Sequence, residues 1–351
     1  MIARAGAATV APSGTIRETV LEVRGLSVEF STQSGVLHAV RDLAFEVGRG
    51  ETLAIVGESG CGKSTCVQAI MGLIATPPGR IVAGSARLLG KELIGVPDRE
   101  LNAVRGARVG MIFQDPLTSL NPTMRVGEQI AEALRVHRGV SQSLARIRAI
   151  DLLARMRISD PAARARQYPF ELSGGMAQRV MIALSLVCDP DLLIADEPTT
   201  ALDVTVQDQV LELLQDLQRD SGMAIVLITH DLGVVARLAD RVAVMYAGEI
   251  VESGTANEVF YRSTHPYTVA LKRALPREDL RHRSRLPAIQ GQPPNLRPPP
   301  PGCGFYERCE HAMKLCAEHP PDLWGGAHSA RCWLQHPRAP RSAAVWQDQS
   351  S

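Results

Sequence analysis

The run Gly57-Glu58-Ser59-Gly60-Cys61-Gly62-Lys63-Ser64, followed by Thr65, has the residue types and spacing of a phosphate-binding loop. Its glycines let the backbone wrap closely around a polyphosphate with N–H groups turned inward, and the helix that follows adds its positive end. Lys63 is expected to reach the β- and γ-phosphates, and Ser64 to ligate Mg²⁺. A chance glycine-rich turn is the alternative, but the lysine, the serine and the flanking elements all fall where a phosphate site needs them.

A second cluster is Asp191-Leu192-Leu193-Ile194-Ala195-Asp196-Glu197, four apolar residues running into adjacent carboxylates. Neighbouring strand residues point to opposite faces, so two acids at a strand end can take different roles. Asp196 suits the magnesium shell, and Glu197 suits polarising a water. A solvated acidic turn is the alternative reading. A third segment, Leu172-Ser173-Gly174-Gly175-Met176-Ala177-Gln178-Arg179, opens an apolar helix and again offers a phosphate-sized start.

The elements that must position these groups are legible in outline. Thr19 to Phe30 reads as a strand, followed by a turn at Thr32 to Gly35 and further pairing through Ala39 to Val47. Thr52 to Val56, Val109 to Phe113, Leu192 to Ala195, Ala224 to Thr229 and Val242 to Tyr246 read as buried strands. Lys63 to Leu73 and Val206 to Gln218 read as helices, and the pattern from Val126 to Cys188 is helical, with clear stretches at Ile147 to Met156 and Gln178 to Val187. Strands alternating with helices imply an α/β fold on a mostly parallel sheet covered on both faces. After Thr264 proline becomes frequent, and Pro298 to Pro301 reads as an extended polyproline segment, placing a domain boundary near Ser263. No internal repeat is visible, so one nucleotide unit is expected.

Composition excludes several classes. The 351 residues are 45% hydrophobic and 21% charged, with a net charge of +1, which supplies a core but no basic field for nucleic acid. No run approaches the roughly 18–20 apolar residues of a membrane span, and Met1 to Gly14 lacks the pattern of a secretory signal. A cytosolic protein is expected, reaching a membrane only through a partner. Of the seven cysteines, Cys61, Cys66 and Cys188 are scattered, whereas Cys303, Cys309, Cys316 and Cys332 cluster. In a reducing compartment such a cluster suggests metal ligation before disulfides.

The Leu172 to Arg179 segment makes the resemblance specific: the chain resembles an ABC ATPase, a P-loop NTPase with a RecA-like core, an antiparallel β subdomain and a helical subdomain. The resemblance implies that Ser173, Gly174 and Gly175 bind the γ-phosphate of ATP held by an opposite subunit, so that hydrolysis needs a dimer. It likewise implies that Gln114 is the Q-loop glutamine, also serving Mg²⁺, that Ala201-Leu202-Asp203 is the D-loop, and that His230 is the switch histidine. Phe30 is the candidate that stacks on adenine, or else packs in the first sheet. The phosphate loop with Thr65, Gln114 and Asp196 would complete the Mg·ATP site, with Glu197, His230 and Gln114 as the catalytic set.

Two segments narrow the group. Asp115-Pro116-Leu117-Thr118-Ser119-Leu120-Asn121-Pro122, and Thr264-His265-Pro266-Tyr267-Thr268 leading to Ala274-Leu275-Pro276, resemble ATP-binding subunits of dipeptide and oligopeptide importers, a group that includes nickel and glutathione importers. The resemblance covers about residues 18–335. It implies a flexible arm over 1–17, an ATPase domain over 18–263 with a helical subdomain at about 118–188, a Cys-containing region over 264–340 and a flexible tail over 341–351. It implies ATP hydrolysis coupled to import, partnership with a second, related ATPase chain, two transmembrane permeases and an extracytoplasmic solute-binding protein, and a peripheral place on the cytoplasmic face of the inner membrane. Closure of the ATPase pair would reach the channel through the groove near Gln114 to Val126. The four clustered cysteines resemble a region associated with a four-iron four-sulfur cluster; zinc or unligated thiols are the alternatives. Ala177 departs from the group, which often carries a long polar or basic residue there. Nickel, glutathione or another solute is the alternative cargo. A soluble ABC ATPase acting on nucleic acid or ribosomes is the alternative class, disfavoured by the single ATPase unit and the lack of sustained heptads between Lys63 and Ser173.

Overall fold

The computed structural model describes residues 17–199, 202–274 and 289–339. Nearly all of the expected arm over 1–17, the tail over 341–351, and Ala201, Leu275 and Pro276 from the quoted segments lie outside the described residues.

In chain order the first part holds β1 (Thr19–Thr32), β2 (Gly35–Gly48), β3 (Thr52–Val56), α1 (Lys63–Ile70), β4 (Gly79–Leu88) and β5 (Lys91–Glu92). The middle holds α2 (Asp98–Val104), β6 (Val109–Ile112), α3 (Pro116–Ser119), α4 (Val126–Arg138), α5 (Gln142–Arg155), α6 (Pro161–Arg164), α7 (Gly174–Leu186), β7 (Leu192–Asp196), α8 (Val204–Ser221) and β8 (Ala224–Thr229). The last part holds α9 (Leu232–Leu238), β9 (Arg241–Tyr246), β10 (Glu249–Thr255), α10 (Ala256–Tyr261), α11 (Pro266–Arg273), α12 (Lys314–Glu318), β11 (Trp324–Gly325) and β12 (Ser329–Ala330). The described residues form two compact units, one from 17–46, 53–94, 230–274 and 289–339, the other from 47–52, 95–199 and 202–229.

In the first unit, β2, β1, β4 and β5 form a sheet in that order, with β1 and β4 antiparallel. The inward phase of β1 switches from Leu21 and Val23 to Leu26 and Val28. The cause is a register shift between Arg24 and Ser27, a bulge that moves the apolar set back onto the core face. The long β2 replaces the expected start at Ala39, because the chain pairs from Gly35 onward. β3 runs parallel to β9, with Val56 opposite Val244, and every residue of both strands is buried. Burial on both faces is why these segments read as unbroken apolar runs. β9 pairs antiparallel with β10, β10 with β12, and β12 with β11, so the Cys-containing region is built onto the same unit as the phosphate loop. Pro298 to Pro301 forms neither helix nor strand.

Glu252, 0% exposed, ties this region down. Its carboxylate accepts from Thr264 N at 2.7 Å and His265 N at 3.0 Å, and lies 2.8 Å from His328 Nε2. Burial alone would raise its pKa, but the hydrogen bonds of His328 and the Thr264 backbone outweigh burial and hold it below the ordinary 4.5. Burial pushes His265 down to about 4, against the charge of Glu252. Both folded values are depressed, so the stability they carry is complete above the unfolded values. It is lost as pH falls from 6.5 toward 4 for His265, with Glu252 adding to the loss below 4.5. Melting temperature is expected to fall across that window, and His265→Gln should flatten the upper part of the curve.

In the second unit, β6, β7 and β8 are parallel, with Ile112 opposite Ala195 and Asp196 opposite Ile228. α4, α5 and α7 supply the helical layer. α4 buries Val126, Ile130, Ala131 and Leu134 on one face. α7 is buried on most sides, and Ala177 within it is 0% exposed, so the departure at this position falls in the interior.

Candidate functional site

In the first unit the chain leaves β3 at Val56 and turns through Gly57 to Gly62 into α1. Gly62 has φ +106°, and a Cβ there would sit 2.4 Å from the Ala39 carbonyl oxygen, so only glycine fits this cap. Lys63 is 5% exposed, and its ammonium donates to Gly57 O at 2.8 Å and Glu58 O at 3.0 Å. The lysine is thus folded over the loop that it follows. Ser64 and Thr65 are half-buried in the first turn of α1, which carries no acidic residue. Burial raises the Cys61 thiol, with Lys63 opposing, so the sulfur stays protonated.

Glu58 is the one carboxylate of the loop, and it is held at two points. Its N–H donates to Tyr267 Oη at 2.9 Å. Its carboxylate accepts both ends of the Arg308 guanidinium, at 2.6 and 2.9 Å. Neither partner was assigned a role from sequence. Tyr267 lies in the segment Thr264 to Thr268, which carries a family likeness and no site pattern, and Arg308 lies 250 residues from Glu58, beyond any local pattern. Phe30 is half-buried beside Gly79, and His230 is exposed just past β8.

In the second unit, β6 and β7 bring Gln114 and Glu197 together: Gln114 Nε2 donates to Glu197 Oε2 at 3.1 Å. Asp196 closes β7 and is 6% exposed. Glu197 takes φ +50°, and its N–H donates to Ile228 O at 2.8 Å. That left-handed turn is uncommon for a non-glycine residue and costs on the order of 1 kcal/mol, held here by the β8 backbone. Gln178 donates to Pro198 O at 2.7 Å, fixing the loop after Glu197.

Ser173 caps α7, its Oγ accepting from Met176 N at 3.4 Å. A Cβ on Gly175 would lie 2.8 Å from Val206 Cγ1, so α7 and α8 approach at this glycine. Ser173, Gly174 and Gly175 line a cavity of about 460 Å³ together with Arg157, Arg179 and Asp203. Asp203 caps α8 by accepting from Val206 N at 3.0 Å. The N-terminus of α7 opens on this cavity as a group suited to an anion. The guanidinium of Arg157 pairs with Glu212 at 3.7 Å and Asp216 at 3.4 Å, and that of Arg179 donates to Arg157 O at 3.1 Å. No local pattern marks Arg157 or Arg179 as lining this cavity, although Arg179 ends the segment Leu172 to Arg179.

Cys303, Cys309, Cys316 and Cys332 line one small pocket with His265 and Phe305. Burial pushes the Cys303 and Cys332 thiols up to about 12 and Cys309 to about 11, the neighbouring thiols adding to the rise. Among the described residues, however, no group of three or more His, Cys, Asp or Glu side chains is arranged to hold a metal ion. The expected cluster therefore finds its four sulfurs gathered but not set in a ready-made coordination shell. Among the same residues no helix is long and apolar enough to cross a membrane.

Residues 40–200 match the ABC transporter family, and residues 251–316 match the oligopeptide/dipeptide transporter C-terminal region. The chain is 49% identical to the dipeptide transport ATP-binding protein DppD of Bacillus subtilis, covering 92% of this chain and 96% of that one. It is 52% identical to the oligopeptide transport ATP-binding protein OppD of Salmonella typhimurium, covering 90% and 92%. Among solved structures, the ATP-binding cassette MJ0796, a dimer in a post-hydrolysis state bound to ADP and Pi, matches with a TM-score of 0.61 at 27% identity. That match covers 67% of this chain and 98% of the cassette.

Proposed function

Because the chain belongs to the ABC transporter family, in the group of dipeptide and oligopeptide transport ATP-binding proteins, we propose that it hydrolyses ATP to drive import of short peptides through separate permease subunits. The observation that carries the hydrolysis is the hydrogen bond from Gln114 to Glu197, the acid that directly follows Asp196 at the end of β7, in a chain that also carries a lysine-bearing phosphate loop, and the likeness to peptide transport ATP-binding proteins supports the cargo.

Lys63 exchanges its two carbonyl partners for the β- and γ-phosphates, and the N–H groups of Gly60 to Thr65 cradle the rest of the triphosphate. Ser64, Asp196 and Gln114 would hold Mg²⁺, which would supply charge neutralisation at the phosphates when bound. Gln114, with its amide on Glu197 Oε2, orients the carboxylate; Glu197 then takes the proton of the attacking water. His230 contacts the γ-phosphate, and Phe30 stacks on adenine. Ser173, Gly174 and Gly175 grip the ATP of a second ATPase, a related chain, and the cavity that these residues line at the N-terminus of α7 supports that anion site.

The exposed Phe113 and Leu117, flanking Gln114, support this segment as the seat of a permease coupling element. The complex holds two permeases and an extracytoplasmic binding protein, with this chain peripheral at the cytoplasmic face of the inner membrane. The spacing of Cys303, Cys309, Cys316 and Cys332 and their shared pocket are the support for a four-iron four-sulfur cluster, which would have to draw the four sulfurs into a shell that they do not form here and would add folding energy to a proline-rich region. Anaerobic purification tests this: about four irons per chain are expected, and a colourless, iron-free protein removes the cluster. For the main reading, ATP turnover by the assembled transporter is expected to rise with peptide; a rise with nickel alone would reassign the cargo.

A further inference from the structure

We propose that Arg308 and Tyr267 are positioning residues for ATP binding, acting through Glu58 on the phosphate loop. The need arises from Glu58 itself. A carboxylate in a loop built for a polyanion repels that polyanion, and the repulsion is strong where water is partly excluded. Arg308 cancels this charge with a two-pronged ion pair, Nη1 to Oε2 at 2.6 Å and Nη2 to Oε1 at 2.9 Å. The Arg308 side chain is 4% exposed, so the pair is shielded from salt on its cationic side.

The arginine is fixed by more than its charge partner. Its Nε donates to Gln290 O at 3.0 Å, and Nη1 also donates to Tyr246 Oη at 3.1 Å. Its guanidinium carbon lies over the Tyr246 ring at 5.7 Å and the Phe305 ring at 6.0 Å. Tyr267, 0% exposed, holds the other end of Glu58 by accepting its N–H, and packs 4.5 Å from Tyr246 and 5.4 Å from Phe305 between ring centres. Carboxylate and amide of one loop residue are thus both clamped by residues that follow the ATPase motifs in the chain. Phe305 also lines the cysteine pocket, so ordering that pocket holds the clamp in place.

The inference rests on the ATPase reading, and its test separates the two: loss of turnover in Lys63→Ala checks the reading, whereas a mutant cycle checks the clamp. ATPase kinetics of the full chain in the assembled transporter are measured for Arg308→Gln, Glu58→Gln and the double variant. Arg308→Gln is expected to raise KM for Mg·ATP about 10-fold with kcat within about twofold, the pattern of lost uniform binding. In the Glu58→Gln background the same change should raise KM less than about threefold, since no carboxylate remains to neutralise. Tyr267→Phe, which removes the acceptor for the amide, should raise KM about equally in both backgrounds. An unchanged KM in Arg308→Gln, or an equal penalty with and without the Glu58 carboxylate, overturns the proposal. Should Arg308→Gln fail to fold, Arg308→Lys takes its place, with about a threefold rise expected while Glu58 is present and none in the Glu58→Gln background; any other pattern overturns the proposal as well.

Discussion

Glu197→Gln is expected to lower steady-state ATP turnover by roughly 10²–10⁴-fold, the loss associated with removing a positioned general base. The substitution keeps the volume of the side chain and an acceptor for Gln114 Nε2, now 3.1 Å from Glu197 Oε2, so the fold around β7 should persist. What disappears is the basic oxygen that takes a proton from water. ATP should still bind, because the phosphate loop and Asp196 are untouched. The ATPase pair should then remain closed around unhydrolysed ATP, visible as a larger species by size exclusion in Mg²⁺ and ATP. Turnover close to the wild-type rate would take Glu197 out of the role of base.

Lys63→Ala should remove a comparable amount by a different route. The ammonium sits 2.8 and 3.0 Å from two loop carbonyls and Lys63 is 5% exposed, so its charge acts in a site with little water to screen it. Deleting one such charge from a preorganised anion site costs roughly 10²–10³-fold. The loss should appear in ATP binding itself, measured by calorimetry on the purified chain, whereas Glu197→Gln should leave binding in place. That contrast separates the residue that holds the phosphates from the residue that activates water.

Much of this was legible in the residues. The loop from Gly57 to Ser64 and the Asp196–Glu197 pair each sit at the end of a strand buried on both faces, where a short, unbroken apolar run gives a clear boundary. Strands with weak patterns were missed. β4, Gly79–Leu88, buries few of its side chains, so alternation scarcely shows. β10 reads Glu-Ile-Val-Glu-Ser-Gly-Thr, yet Glu252 and Ser253 are fully buried, and only the partners Thr264, His265 and His328 explain the acid. Register was likewise hidden: the bulge between Arg24 and Ser27 and the pairing of Ile112 with Ala195 depend on tertiary contacts.

At the site the same division holds. Gln114 and Glu197 were both candidates, but their hydrogen bond across 83 residues belongs to the sheet and not to either motif. Arg157 and Arg179 reach the Ser173 cavity from separate segments. The Glu58–Arg308 pair spans 250 residues. Motifs carry the parts that bind phosphate through the backbone, because those parts need glycine at set positions. Side-chain clamps need only the right group within reach, and many sequences supply it.

The most direct check on the account is Mg·ATP hydrolysis by the reconstituted transporter, with and without a short peptide and the binding protein, compared between the wild-type chain and Lys63→Ala. The wild type should accelerate when peptide is added, and the Lys63→Ala form should stay at background under both conditions. Equal hydrolysis by the two forms would mean that the energy of import enters somewhere other than this chain.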